Sequence, residues 1–189
     1  MSEKVRCPWS EHSSIYVDYH DDEWGRPVHD DRQLFEMLVL DGMQAGLSWL
    51  TVLKKREAFR EAFDGFDPEK VALYDEVKIR ELMANPKIIR NRLKINAAVN
   101  NAKLFLEIVE KYGSFDKFIW QYVNYKPVVG HWVKIGDIPS VTEISDKISA
   151  DLKRLGFKFV GSTIIYAFMQ AAGMVNDHIT ACFAYKELL

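Results

Sequence analysis

Residues 41–49, DGMQAGLSW, combine a carboxylate, an amide, two glycines, a leucine and a tryptophan between two apolar runs. The apolar residues on both sides recur at helical spacing, so this stretch is predicted to be a turn between two helices. Gly46 can end the first helix and Ser48 can cap the second. Asp41 then lies near the end of a core-facing helix, where a carboxylate is costly to bury without a partner. The turn is a candidate active site; the alternative is a solvated Asp beside a helix end.

The second candidate for chemistry is His178-x-x-x-Cys182. Residues four apart on a helix face the same way, so both side chains can bind one metal ion. Cys7, the other cysteine of the chain, is followed by His20. These four side chains would form a closed structural site of the Cys2His2 type that ties the N-terminal coil to the C-terminus. Because the Cys7–His20 spacing exceeds that of a usual zinc finger, the alternative is a pair of buried thiols that act as small hydrophobes.

Three other histidines show no ligand spacing and are expected at the surface: His12, His29 and His131.

Five aromatic residues flank Asp41 in the sequence: Trp9, Tyr16, Tyr19, Trp24 and Trp49. If the N-terminal coil folds over the turn, these rings and the carboxylate form a pocket that suits a flat, cationic ligand. An alkylated nucleobase is the natural example. The alternative is ordinary packing of the rings.

Basic residues occur in three short runs. Residues 88–94, IIRNRLK, place Arg90, Arg92 and Lys94 at the start of a predicted long helix, where exposed amides and cations favour phosphate. The other two runs lie at residues 54–56 and 153–158. Since the net charge is -2, any site for a polyanion must be local. The three runs favour one basic surface, and solvated faces are the alternative.

The length of 189 residues fits one domain, and the composition is that of a globular protein. No signal peptide or membrane span is evident, which predicts a cytoplasmic protein in which a disulfide is not expected. The fold is predicted to be mostly α. Residues 1–30 are expected to be irregular, and residues 125–139 are expected to form a loop or a short ribbon. Predicted helices include a long one that ends at Gly113 and a nearly all-apolar one over residues 160–172.

Taken together, these residues closely resemble the type I 3-methyladenine-DNA glycosylases, a branch of the helix-hairpin-helix glycosylase superfamily. The likeness runs from Cys7 to Cys182. It rests on three segments in particular: YHD.EWG at residues 19–25, QAGLSW.TVLKKRE at residues 44–57 and GFKFVG at residues 156–161.

The resemblance implies a helix-hairpin-helix at about residues 76–110 and a zinc-stapled subdomain from residues 1–25 and 172–189. It implies that the zinc is structural and that its ligands are Cys7, His20, His178 and Cys182. The five aromatic residues would line the base pocket. The DNA contacts would come from Gln44, Gly46, Leu47, Arg90, Arg92 and Lys94, with Gly46-Leu47 inserted at the lesion.

The activity implied by the resemblance is monofunctional hydrolysis of the N-glycosidic bond of 3-methyladenine in double-stranded alkylated DNA. The product would be an abasic site, without lyase activity, and base excision repair would follow. A monomer is expected.

Asp41 departs from the family pattern, which has a glutamate as the base-recognising carboxylate. The shorter side chain withdraws the oxygens by roughly 1.5 Å, a distance over which hydrogen bonds weaken steeply. Asp41 is the expected catalytic residue. Its shorter side chain requires that the pocket has moved inward, that a water bridges the gap, or that recognition is weaker or altered. Two alternatives follow: a binder of alkylated DNA that does not cleave it, and a zinc-stapled helical interaction protein.

Overall fold

The computed structural model describes residues 4–189, so the first three residues of the predicted 1–25 segment lie outside the described part. The chain in this range is mostly helical, as predicted. The α-helices are α1 (Ser14–Asp22), α2 (Asp31–Gln44), α3 (Trp49–Leu53), α4 (Arg56–Ala62), α5 (Pro68–Val71), α6 (Glu76–Ala84), α7 (Arg92–Tyr112), α8 (Phe115–Trp120), α9 (Glu143–Leu155), α10 (Ser162–Ala171) and α11 (Phe183–Glu187).

Short 3-10 turns connect several of these helices: Pro8–His12, Asp64–Phe66, Gln121–Val123 and Ile135–Asp137. Residues 125–139 are mostly loop, as expected. They contain the two-residue strand β1 (Val128–Val129), which pairs in parallel with β2 (Val175–Asn176). None of the helices in residues 4–189 has the length and apolar character needed to cross a bilayer.

The helix ends follow the chemistry of the sequence. Asp30 caps α2 by accepting a hydrogen bond of 2.9 Å from the Gln33 amide, and Ser48 caps α3 through the Thr51 amide at 3.2 Å. The left-handed Gly113, with φ of 87°, ends α7 as predicted. Each of these residues pairs a backbone group that a helix end leaves without an internal partner.

The prediction of an irregular N-terminus is wrong for α1. Its inward face carries Tyr16, Tyr19 and His20, a spacing of three and four that is helical. Tyrosine and histidine are amphipathic, so they do not stand out in a hydrophobic pattern. The predicted run after the turn is also wrong in detail, because it divides into α3 and α4 at Lys54 and Lys55.

Helix α2 lies at the centre of the molecule, and every residue from Leu34 to Met43 is buried. The main core surrounds it, while a smaller cluster joins the N-terminal segment to the C-terminal one around Cys7 and Cys182. Trp49 packs against both clusters. The predicted site therefore lies where the two clusters meet.

Candidate active site

The turn between α2 and α3 is held open and exposed at its tip. Gly46 has a φ of 77°, a left-handed conformation that L side chains rarely adopt. The Leu47 amide donates a hydrogen bond of 2.7 Å to the Gln44 carbonyl, which closes the turn. As a result, the Leu47 side chain is 42% exposed although it is fully apolar. An exposed leucine on a rigid turn is suited to insertion into another molecule.

Lys94 supports this turn from behind, which corrects its expected role as a DNA contact. Its ammonium is buried and donates to the Met43 carbonyl at 2.8 Å and to the Ala45 carbonyl at 2.6 Å. These carbonyls lie at the end of α2, where helix geometry leaves acceptors free. Burial lowers the pKa of this ammonium. Lys94 is therefore a structural cation of the turn, and its charge is not available to a phosphate.

Part of the second basic run also points inward. The Arg56 guanidinium pairs with Glu36 and with Glu23, each at 2.6 Å. Lys55 donates to the Lys87 carbonyl at 3.0 Å and so joins the start of α4 to the turn before α7. The prediction of a basic surface is wrong for Arg56, whose side chain is mostly buried against two acids, whereas the hydrogen bond of Lys55 lies at the surface.

The remaining predicted cations of the α6–α7 turn lie at the surface. Arg90 is exposed, and Arg92 is also exposed but pairs with Glu76 of α6. Within residues 4–189, Arg90 has no ion pair, so its charge is exposed, in contrast to that of the buried Lys94.

The five predicted aromatic residues line one cavity of about 340 Å³. Trp9 lies edge-on to Tyr16 at 5.6 Å between ring centroids and to Trp24 at 5.0 Å, and Tyr19 lies 5.5 Å from Trp49. The Tyr16 hydroxyl accepts a hydrogen bond of 2.9 Å from the Leu50 amide, which fixes α1 to α3. Such mutual packing holds the rings at fixed angles around the cavity.

Asp41 is part of the same lining and lies deep within it. The residue is 3% exposed, and its Oδ2 atom has no hydrogen-bond partner in residues 4–189. Burial raises the pKa of this carboxyl well above its usual range, and the positive charge of Arg56 opposes the rise. Arg56 is at the same time paired with two glutamates. Burial of Asp41 thus penalises its charged form.

The cavity also presents a second buried polar atom without a partner in the described chain, the indole Nε1 of Trp49. Buried polar groups in proteins are nearly always paired, so an unpaired one calls for a specific explanation. A ligand that fills the cavity and supplies polar atoms would satisfy both Asp41 and Trp49.

Four residues of the cavity lining were missed by the sequence analysis: Ile135, Ile138, Ala167 and Gln170. The two isoleucines come from the loop over residues 125–139, which has no periodicity to place it. Ala167 and Gln170 lie three apart on α10, a helix that was assigned entirely to the core. A glutamine in an otherwise apolar helix was the available signal.

The four predicted metal ligands converge in one buried cluster. The atoms that each side chain offers lie within 4.8 Å of one another. The His20 Nε2 atom is 3.2 Å from His178 Nδ1 and 3.4 Å from the Cys182 sulfur, and the Cys7 sulfur is 3.6 Å from His178 Nδ1. This group could hold a metal ion. His178 and Cys182 lie in a loop and not on the predicted helix, because the chain turns between β2 and α11.

Neighbouring groups orient both histidine rings. The Nδ1 atom of His20 is 2.9 Å from the Asp21 carboxylate, and hydrogen bonds from Arg6 lower the pKa of Asp21 to about 2. The Nε2 atom of His178 is 3.1 Å from the Trp24 carbonyl. With these nitrogens donating, the other nitrogen of each ring is left to bind a metal. The cluster is thereby joined directly to the aromatic cavity through Trp24.

Comparison with known proteins places this arrangement in a family. The model of the methyladenine glycosylase family matches residues 9–185. The DNA-3-methyladenine glycosylase of Haemophilus influenzae is 49% identical over 178 residues, which cover 94% of this chain and 96% of that protein. DNA-3-methyladenine glycosylase 1 of Escherichia coli is 48% identical over 180 residues, with 95% and 96% covered.

Solved structures agree with the sequence match. A crystal structure of 3-methyladenine DNA glycosylase I superposes with a TM-score of 0.91 at 48% identity and covers 95% of this chain and 98% of that chain. The structure of the Staphylococcus aureus enzyme, determined to explain 3-methyladenine recognition, gives a TM-score of 0.92 at 42% identity, with 95% and 96% covered. The chain belongs to the methyladenine glycosylase family.

Proposed function

We propose that the protein is a DNA repair glycosylase that hydrolyses the N-glycosidic bond of 3-methyladenine in double-stranded alkylated DNA and leaves an abasic site. The observation that carries the proposal is the buried, unpaired carboxyl of Asp41 in a cavity walled by five aromatic side chains. Such a cavity fits a flat base, and its carboxyl is suited to polar atoms on the edge of that base. The lesion follows from the names of the relatives, which are DNA-3-methyladenine glycosylases.

Selection of a cationic base follows from the electrostatics of the cavity. Alkylation at N3 gives adenine a positive charge in the nucleotide, and ring faces attract cations. A cation beside Asp41 favours the ionised carboxylate, whereas the empty cavity favours the protonated form. An unmodified, neutral adenine gains neither interaction. The base that makes Asp41 ionise is therefore the base that binds best.

Once the base is bound, the reaction requires few catalytic groups of the protein. The positive charge weakens the glycosidic bond, so the base departs as a neutral molecule and needs no general acid. The sugar then passes through an oxocarbenium-like state, which a nearby carboxylate stabilises. Water adds to the sugar carbon and loses a proton, which completes the hydrolysis. In this scheme Asp41 recognises the base and stabilises charge.

Access to a base inside a duplex requires that it be unstacked. We assign Leu47 as the apolar wedge that fills the vacated space, with Gly46 giving the turn its shape and Gln44 lying at the mouth of the cavity. We assign α6, the turn at residues 85–91 and α7 to the helix-hairpin-helix. Arg90 and Arg92 on this unit would contact phosphates, which position a protein without specifying sequence.

We further propose that the Cys7, His20, His178 and Cys182 cluster binds zinc. From the usual Zn–N and Zn–S bond lengths, a tetrahedral site has ligand atoms roughly 3.3 to 3.8 Å apart. The nitrogen–nitrogen and nitrogen–sulfur distances of this cluster, 3.2 to 3.6 Å, are close to that range. Zinc with four protein ligands is structural, since no position is left for water. It would join the N-terminal and C-terminal segments and so support the aromatic wall.

A non-cleaving binder of alkylated DNA is the second candidate, and Asp41 is the feature that favours it. A carboxyl one methylene shorter than glutamate is drawn back into the core, where it is 3% exposed. Such a site can retain a lesion while it stabilises the transition state less well.

Release of free methylated bases from methylated duplex DNA, resolved by chromatography, separates these functions. The wild type is expected to release 3-methyladenine, and Asp41→Asn is expected to release it much more slowly because the charge is lost. Asp18→Asn makes the same chemical change at an exposed position and serves as the matched control. Binding of methylated DNA by the wild type without any release of base would refute the glycosylase and support the binder.

A further inference from the structure

Gln170 carries a side-chain amide in the wall of the aromatic cavity, in the last turns of α10. The residue is half-buried. Its backbone carbonyl accepts a hydrogen bond of 3.0 Å from the Gly25 amide, which fixes α10 to the segment that follows Trp24. The position of this amide is therefore set by two elements that also shape the cavity.

A buried carboxylate lies directly behind this amide. Asp177 is 2% exposed, and it does not line the cavity. Its Oδ1 atom accepts a hydrogen bond of 2.7 Å from the Trp132 indole. Its Oδ2 atom accepts one of 2.6 Å from the Tyr166 hydroxyl and one of 2.8 Å from Gln170 Nε2. Asp177 thus acts as an acceptor toward three donors, two of them on α10 and one in the loop over residues 125–139.

This arrangement fixes which way round the Gln170 amide lies. If the amide were reversed, its oxygen would lie 2.8 Å from a carboxylate oxygen, and two acceptors would face each other. The nitrogen is therefore held on Asp177 and the oxygen is turned away from it. In residues 4–189 no donor pairs with that oxygen, and it is not a buried unpaired atom, so it is open to the cavity.

We propose that Gln170 determines specificity by accepting a hydrogen bond from the exocyclic amino group of the extruded base, and that Asp177 is its positioning residue. The inference rests on the proposed function and deepens it. An amino group has two hydrogens, so it can donate both to Gln170 and to Asp41, the carboxyl group of the same lining. A base with a carbonyl in place of that amino group would set its lone pairs against the Gln170 oxygen. The cavity therefore selects adenine derivatives over their carbonyl counterparts.

The test compares two free bases: 3-methyladenine, and 3-methylhypoxanthine, in which a carbonyl replaces the amine and a ring nitrogen carries one additional proton. Binding is measured by quenching of tryptophan fluorescence, since three tryptophans line the cavity: Trp9, Trp24 and Trp49. The wild type is expected to prefer 3-methyladenine. Gln170→Met keeps a side chain of similar length without the acceptor. It is expected to weaken 3-methyladenine binding about tenfold, the worth of one hydrogen bond, and to strengthen 3-methylhypoxanthine binding, because the opposing oxygen is gone.

Asp177→Asn tests the positioning role with Gln170 intact. The new amide can donate to Gln170, so the Gln170 amide can turn and present its nitrogen to the cavity. We expect the preference for 3-methyladenine to fall about tenfold here too. Gln33→Met, which makes the same chemical change at an exposed position outside the cavity lining, is the matched control and should keep the preference. Metal content and thermal melting show whether each variant keeps its fold, because Asp177 is next to His178.

A wild type that binds both bases equally would overturn the inference, whatever the variants do. So would a folded Gln170→Met protein that keeps the full preference. Because affinity for free bases is measured without cleavage, this test is separate from the test of function. A wild type with the preference but without release of 3-methyladenine from DNA would support the inference while refuting the glycosylase.

Discussion

Replacement of Asp41 by asparagine is expected to stabilise the protein while it impairs the site. Asp41 is buried, and one of its oxygens has no partner in the described chain. A buried polar group in this state costs on the order of 1–3 kcal/mol, and more if it is charged. Asparagine keeps the shape and also leaves a polar atom unpaired, but it cannot ionise, so only the cost that is linked to ionisation is removed. We therefore expect Asp41→Asn to raise the free energy of unfolding by about 2 kcal/mol at pH 8.

The sign of the pH dependence follows from the raised pKa of Asp41 in the folded state. Above the usual aspartate pKa of about 3.9, the unfolded chain loses this proton before the folded chain does. The folded protein then binds more protons than the unfolded one, so its stability falls as pH rises. Asparagine does not titrate, so it does not contribute to the pH dependence of stability. The advantage of Asp41→Asn should therefore appear above about pH 4, already be substantial at pH 5 and be largest toward pH 8.

Urea unfolding of both proteins at several pH values between 5 and 8 measures this difference. For a chain of this length, 2 kcal/mol corresponds to a rise in Tm of roughly 4–8 °C. Asp18→Asn, at an exposed position, is expected to change the unfolding free energy by less than about 0.5 kcal/mol. Equal stability of wild type and Asp41→Asn across this pH range would refute the conclusion that the site stores an unpaired carboxyl.

Three further predictions concern the turn, the DNA surface and the metal cluster. Lys94→Met should lower the unfolding free energy by about 2 kcal/mol and leave the salt dependence of duplex binding unchanged. Arg90→Ala should leave stability unchanged and reduce the slope of binding against salt concentration by about one. Urea unfolding and binding titrations at several salt concentrations measure both, and an exchange of the two effects would contradict the prediction. Leu47→Ala should slow excision from duplex DNA without weakening free 3-methyladenine binding, and a parallel loss of both would count against the wedge. Cys7→Ser should reduce bound zinc and lower the Tm, measured by metal analysis and calorimetry, and full zinc occupancy in that variant would rule out the proposed ligand set.

The sequence by itself determined the helical content and several helix ends. Ser48 and Gly113 act locally, through a side-chain oxygen or a left-handed backbone, so their effect can be recognised from neighbouring residues alone. The specific motifs around Tyr19 and Trp49 also indicated the family, which the comparisons bear out.

Tertiary structure decided the roles of the charged and polar side chains. Lys94 and Arg90 are both basic residues of the same short run. The Lys94 ammonium is buried and donates to two backbone carbonyls at the end of α2, whereas Arg90 is exposed. Gln170 gained its orientation from Asp177, which lies beyond the end of α10 and reaches it only because the chain folds back through β2. A hydrophobic pattern reports which face of a helix is buried. It does not report which partner a buried polar atom meets, because that partner comes from a distant part of the chain.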